Sequence, residues 1–229
     1  MATYVAVYLE AGAKRTFAAA VDWPGWCRQG PNEPDALAAL LAYGPKYGAI
    51  LAGTRLGFTP PKDLTELIVV ERLPGTATTD FGAPGVAPTV DHDRSCSGAD
   101  LKRFEKILGA GWRAFDQAVK FAGGKTLATG PRGGGRSLEA IVRHVIEADA
   151  GYLRAVGWKA PKAAEPREWL AATREAILAA LEASAIGEIP AKGPRGGMRW
   201  TARYFVRRLA WHVIAHAWEI ERRAARDNW

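Results

Sequence analysis

Residues 200 to 226, WTARYFVRRLAWHVIAHAWEIERRAAR, contain neither Gly nor Pro and end in basic side chains. Such a stretch is a single long helix. It carries His212 and His216. Four residues turn a helix through about 400°, so the two imidazoles stand about 40° apart, one turn above the other. Glu219 falls on the same stripe. Two histidines so spaced can share a metal ion but cannot enclose it, and a further ligand must come from elsewhere. The chain has four histidines, leaving His92 and His144.

His144 lies in SLEAIVRHVIEADAGYLRAVGW, which is also helical in pattern. Ile141, His144, Ala148, Gly151, Tyr152 and Ala155 recur at steps of three and four, which predicts an inward, small and apolar stripe. A histidine on such a stripe is either a core residue satisfied by a neighbour or a ligand. His92 belongs to DHDRSCSGAD. Asp91, His92, Asp93 and Cys96 are metal-binding residue types, but their spacing matches no defined site, and the segment reads as a solvated loop leading to a Ser97 helix cap.

The chain has 229 residues, 48% of them hydrophobic, including nine tryptophans, so it can bury a sizeable core. The formal charge is +7, but 24 acids are interspersed among 31 basic residues, and no aromatic stacking platform is recognisable. The expectation is no stable nucleic-acid binding. Two cysteines make no disulfide framework, and no apolar run is long enough for a membrane helix. With no leader-like N-terminus either, the expected location is cytoplasmic, with no membrane partner.

An α+β fold is expected. Residues 3–9, 16–22 and 26–29 read as strands. Asn32-Glu33-Pro34-Asp35 starts a helix that Gly44-Pro45 breaks, a second apolar piece runs from Tyr47 to Leu51, and 64–72 is a last strand. Residues 1–73 thus form a small βββαβ domain. Residues 74–98, rich in Pro, Gly, Thr and Asp, read as a linker. Residues 99–229 carry four helices: 99–122, Ser137 to about Gly157, about Pro166 to Ala185, and the final stretch. Inward positions are Leu101, Phe104, Leu108, Gly111, Phe115 and Ala118 on the first, and Leu170, Thr173, Ile177, Leu181 and Ser184 on the third. The segment FAGGKT is no phosphate loop, because Val119 stands where its first Gly belongs and a helix precedes it.

GPRGGGR (130–136) precedes the second helix and GPRGGMR (193–199) the fourth. Arg132, Arg136, Arg195 and Arg199 are candidate anion contacts near helix starts, or simply residues of solvated, helix-stopping loops. Whether the two loops share one end of the helical segment is open at this stage.

One histidine on the second helix of four, in IVRHVIEADAGYL, followed by His-x-x-x-His in LAWHVIAHAWEI on the last, resembles the DinB/YfiT-like metal-binding four-helix bundles over roughly Ala99 to Arg226. That resemblance implies a divalent ion, zinc or nickel, on His144, His212 and His216, and an enzyme acting on a small-molecule substrate. In that family the chemistry includes S-transfer and isomerisation with low-molecular-weight thiols such as mycothiol or bacillithiol. Hydrolysis is the second choice of reaction. Glu219 is a candidate for orienting an imidazole, or an ion-pair partner of Arg222 or Arg223. Glu147 and Asp149 are weaker candidates of the same kind. Tyr152, Trp211 and Trp218 are candidates for the wall of the site, and no catalytic residue beyond the ligands is assigned.

The N-terminal order, with VYLE, then TFAAAVDWPGWCRQG, then a helix beginning PDALAAL, resembles the HicB-like antitoxin domain over about 70 residues. Its Pro-x-x-Pro-Gly-Cys turn is matched only in part by Trp23 to Gly30. The fold is what the resemblance implies here. The alternative function is a non-catalytic regulatory module whose HicB-like domain engages a protein or RNA partner, with the helical part as a homodimer scaffold.

Overall fold

A computed structural model describes residues 4–93, 95–129 and 135–225. The protein is of mixed α+β class: a four-stranded sheet near the N-terminus is followed by a helical region. The chain divides into two compact units, Met1–Ser95 and Cys96–Trp229.

In the first unit, β1 (Val5–Ala11), β2 (Thr16–Ala20), β3 (Cys27–Gly30), α1 (Glu33–Leu51) and β4 (Leu67–Pro74) follow in the expected strand–strand–strand–helix–strand order. The sheet order is β3-β2-β1-β4; β1 pairs antiparallel with β2 and parallel with β4. A helical crossover is what a parallel pair requires, and α1 lies within that connection. Asn32 caps α1, accepting from Asp35 N at 2.9 Å, and Pro34 lies in its first turn.

The helix does not break at Gly44-Pro45 but runs through Pro45 to Leu51. Packing outweighs the lost backbone bond. Ala36, Leu40, Gly44, Tyr47 and Leu51 form one buried stripe across the proline. Tyr47 stacks beside the fully buried Trp26 and donates to Pro24 O at 2.8 Å, and Trp26 Nε1 donates to Leu40 O at 2.9 Å.

Residues 74–93, which read as a structureless linker, carry two short helices, α2 (Ala77–Phe81) and α3 (Thr89–Asp93). Their anchor is Glu10 of β1, a fully buried carboxylate. It accepts from Gly85 N at 2.8 Å, from Val86 N at 3.0 Å and from Thr79 Oγ1. Asp80 accepts from Lys14 N at 2.7 Å, and Glu71 of β4 accepts from Thr89 N at 3.1 Å. Strand β1 is accordingly buried at successive residues from Val7 to Glu10 rather than at alternate ones.

The second unit contains α4 (Gly98–Ala122), α5 (Leu138–Val156), α6 (Pro166–Ala185) and α7 (Ala202–Ala224). Ser97, Ser137 and Thr201 cap α4, α5 and α7, each accepting a backbone N–H of the first turn. Helix α7 packs most extensively on α4 and also touches α5 and α6. At the α4–α7 contact a Cβ on Gly111 would stand 3.1 Å from Val213 Cγ1, so the absent side chain lets the two helices close. The pair runs parallel. Arg203 bridges Asp100 at 2.6 Å near both helix starts, and Ala128 N donates to Arg223 O at 3.1 Å near the far end. Helix α5 runs the opposite way, since Ala155 O, near its C-terminus, accepts from Trp200 N, just before α7 begins.

The expected inward residues of α4 are buried except Leu101, which is half-buried. On α6, Thr173, Ile177 and Leu181 are buried, whereas Leu170 and Ser184 are half-buried. On α5 the stripe is displaced. Ile141 is buried, but His144, Ala148, Gly151, Tyr152 and Ala155 are only half-buried, while Val145, Ile146, Asp149, Leu153 and Val156 make the core face. His144 therefore sits at the margin of the core. Apolar and small residues on both faces hid the true inward direction from periodicity alone.

Candidate metal centre

His144 lies two turns into α5; His212 and His216 lie one turn apart on α7. His212 is buried and the other two are half-buried. The α5–α7 packing turns all three Nε2 atoms toward one point. His212 Nε2 stands 3.3 Å from His144 Nε2 and 3.2 Å from His216 Nε2. Among the described residues these three are the His, Cys, Asp or Glu group able to hold an ion, with ligand atoms all within 4.8 Å of one another.

These separations fit a metal. Nitrogens placed tetrahedrally at zinc–nitrogen distances of about 2.0–2.1 Å stand about 3.3–3.4 Å apart. Three imidazoles so placed satisfy one another's ring nitrogens only in part, whereas one cation takes a lone pair from each. Three protein nitrogens leave a coordination position for a small molecule.

Burial, the Arg136 charge and the His216 ring depress the basicity of His144; the carboxylates of Glu147 and Glu219 partly offset this. Burial and the surrounding His216, His144, Arg208 and Arg136 hold His212 well below the ordinary histidine range. Both rings are thus kept neutral, the form in which histidine ligates.

Glu219 takes the orienting position. Its Oε2 lies 2.8 Å from His216 Nδ1, and its Oε1 accepts from Arg223 Nη1 at 2.9 Å. The hydrogen bond with His216, helped by Arg223 and opposed by burial, lowers the Glu219 carboxyl to about 2. A proton on Nδ1 of His216 leaves its Nε2 lone pair facing the cluster. His212 Nδ1 is buried without a hydrogen-bond partner, so packing holds this ring instead. The rings of Tyr152 and Trp211 lie 5.8 and 5.9 Å from it. Trp218 is buried on α7.

Sequence reasoning named Arg223 only as one of two ion-pair candidates for Glu219 and missed Arg208. Arg223 spans Glu219 and two distant carbonyls, donating to Ala128 O and Arg136 O at 2.8 Å each. Its four-residue spacing from Glu219 was the only readable signal. Arg208, one turn before His212, is buried and donates to Tyr152 Oη at 3.2 Å. Asp149 is buried with Oδ1 unpartnered, and burial, against the pull of Arg174, raises its carboxyl to about 8. It faces the core and does not join the cluster.

Of the four arginines of the paired loops, the three described ones are not gathered at one place. Arg136 is exposed at the start of α5, close enough for its charge to act on both His144 and His212. Arg199 packs beside Gly157 at the C-terminus of α5 and donates to Pro190 O at 3.1 Å. That end lies about 20 Å along the helix from His144. Arg195 is exposed in the same loop as Arg199, folded by the Gly196 N to Gly193 O and Gly193 N to Gly197 O bonds. Arg195 and Arg199 are thus not brought to the histidines, and Arg132 lies outside the described residues. His92 falls within α3 of the other unit and gathers no ligand group among the described residues. Ser97 makes the expected cap, in a box with Asp100. Comparison of the chain with protein-family models, curated proteins and solved structures gives no significant match.

Proposed function

We propose that the Cys96–Trp229 unit is a metal-dependent enzyme built as a DinB-like four-helix bundle, transferring a low-molecular-weight thiol to a small electrophile. The observation that carries this reading is the convergence of three imidazole Nε2 atoms at 3.2 and 3.3 Å separations. A divalent ion such as zinc or nickel, when bound, supplies a Lewis acid that favours the ionised form of a thiol or water beside it. His144, His212 and His216 would hold it.

Around that point the chain's own residues set the conditions. Glu219 and Arg223 fix the direction of His216. The half-buried Ala148, Gly151 and Tyr152 flank His144 on the open stripe of α5, where a small molecule can approach. Tyr152 Oη, held by Arg208, offers a polar group beside His212. In the reaction the thiol gives its proton to solvent. Its sulfur forms a C–S bond with the electrophile, and the leaving group departs with the electrons of the bond that breaks.

The test is turnover of 1-chloro-2,4-dinitrobenzene with a panel of small thiols, with and without chelator. Thiol-dependent, chelator-sensitive turnover is expected. Turnover of an ester substrate with water alone, equally sensitive to chelator, would replace this reading by a hydrolase. A second reading, a binding module whose HicB-like part engages a protein or RNA, is favoured by the strand–strand–strand–helix–strand order of the first unit. It predicts an intact fold that takes up no metal.

A further inference from the structure

Arg223 joins the histidine cluster to the segment in front of α5. Its guanidinium uses all its edges: Nη1 to Glu219, which contacts His216; Nε to Ala128 O; Nη2 to Arg136 O. Gly135 lies flat against it, with φ +147°, and a Cβ there would stand 2.6 Å from Arg223 Nη2. The backbone of Gly135 and Arg136 is therefore fixed to the group that aims His216. The Arg136 side chain is left exposed in water, on a backbone tied to Arg223 and near enough for its charge to act on His144 and His212. An exposed cation on a fixed backbone, beside an open coordination position, recognises charge on whatever enters. The other cation felt at His212, Arg208, donates to Tyr152 through Nη2 and keeps Nε and Nη1 unpartnered, but it is buried, whereas Arg136 is open to solvent where a ligand arrives.

We infer that Arg136 is the specificity-determining residue for an anionic ligand: the small molecule that enters the three-histidine site carries a carboxylate or similar group, which Arg136 binds while another atom of the ligand faces the histidines. This rests on the metal reading above and narrows its substrate class. Arg136 acts by direct contact with ligand, and Gly135 and Arg223 are positioning residues.

The experiment uses the full chain loaded with cobalt(II), whose thiolate-to-metal absorption reports a sulfur ligand without turnover. The two probes are mercaptoacetate, which is anionic, and 2-mercaptoethanol, which is neutral. The expected result is tighter binding of mercaptoacetate, with Arg136→Ala weakening it about fivefold and leaving 2-mercaptoethanol within about twofold. Arg136→Lys should retain part of the preference, and raising salt should erode it. Gly135→Ala, which keeps the charge but displaces the backbone, should also reduce the preference. Equal effects of Arg136→Ala on both probes, or no effect on either, in protein that binds a full equivalent of cobalt, would overturn the role of Arg136 and leave the metal reading standing. Protein that takes up no cobalt removes both.

Discussion

Asp149 shows how one buried group sets a pH response of the whole unit. Burial raises its carboxyl from an ordinary 3.8 to about 8, with Arg174 partly opposing. The folded protein keeps a proton that the unfolded chain releases above about pH 4. The stability this group contributes is therefore fully present below pH 3.8 and is lost as pH rises toward 8. Asp149→Asn keeps the shape and removes the ionisation. The variant should gain on the parent protein as pH rises from 4 to 8, read from urea midpoints at several pH values; parallel pH profiles would contradict this. Glu219 makes the converse case, a carboxylate kept ionised by partners. Glu219→Ala leaves His216 Nδ1 and Arg223 Nη1 without their acceptor, and metal affinity should fall about 10- to 100-fold. Competition with a chromophoric chelator measures it, and unchanged affinity would make Glu219 a surface ion pair only.

The long helices and the strands were readable; the two short helices α2 and α3 were not. The four long helices of the second unit begin and end within a few residues of expectation; Ser97, Ser137 and Pro166 mark three of the starts, and the last follows from a long stretch without Gly or Pro. The histidine spacing on α7 placed two imidazoles on one stripe, and His144, expected with them from the family resemblance, has its Nε2 3.3 Å from that of His212. What stayed hidden depends on contacts distant in sequence. Arg223 reaches carbonyls 87 and 95 residues away, and Arg136 and Arg199 prove to lie at opposite ends of α5. Helices α2 and α3 span five residues each, too few for periodicity, and Glu10 stands where an alternating strand would face water. Glu10→Ala would leave the N–H groups of Gly85 and Val86 without their acceptor. It should destabilise the first unit by about 3 kcal/mol, seen as a lower urea midpoint and faster proteolysis within 76–90. Proteolysis and stability unchanged from the parent would show that this segment does not depend on Glu10.

At the scale of the molecule, two compact units meet in sequence between Ser95 and Cys96. Four long helices with buried faces give the second unit a core of its own. A fragment from Cys96 onward should be soluble and helical, with cooperative thermal unfolding by circular dichroism. An unfolded fragment beside a well-behaved full chain would mean that the second unit needs the first. No described helix is long and apolar enough to cross a membrane. One property of the full chain is decisive for the proposed function: that His144, His212 and His216 together hold a divalent ion. Elemental analysis of untagged protein, after exposure to zinc and desalting, measures it most directly. One equivalent of metal in the parent protein, and almost none in His212→Ala or His216→Ala with helical content unchanged, is the predicted result. A full equivalent retained by both variants, or none in the folded parent, would contradict it.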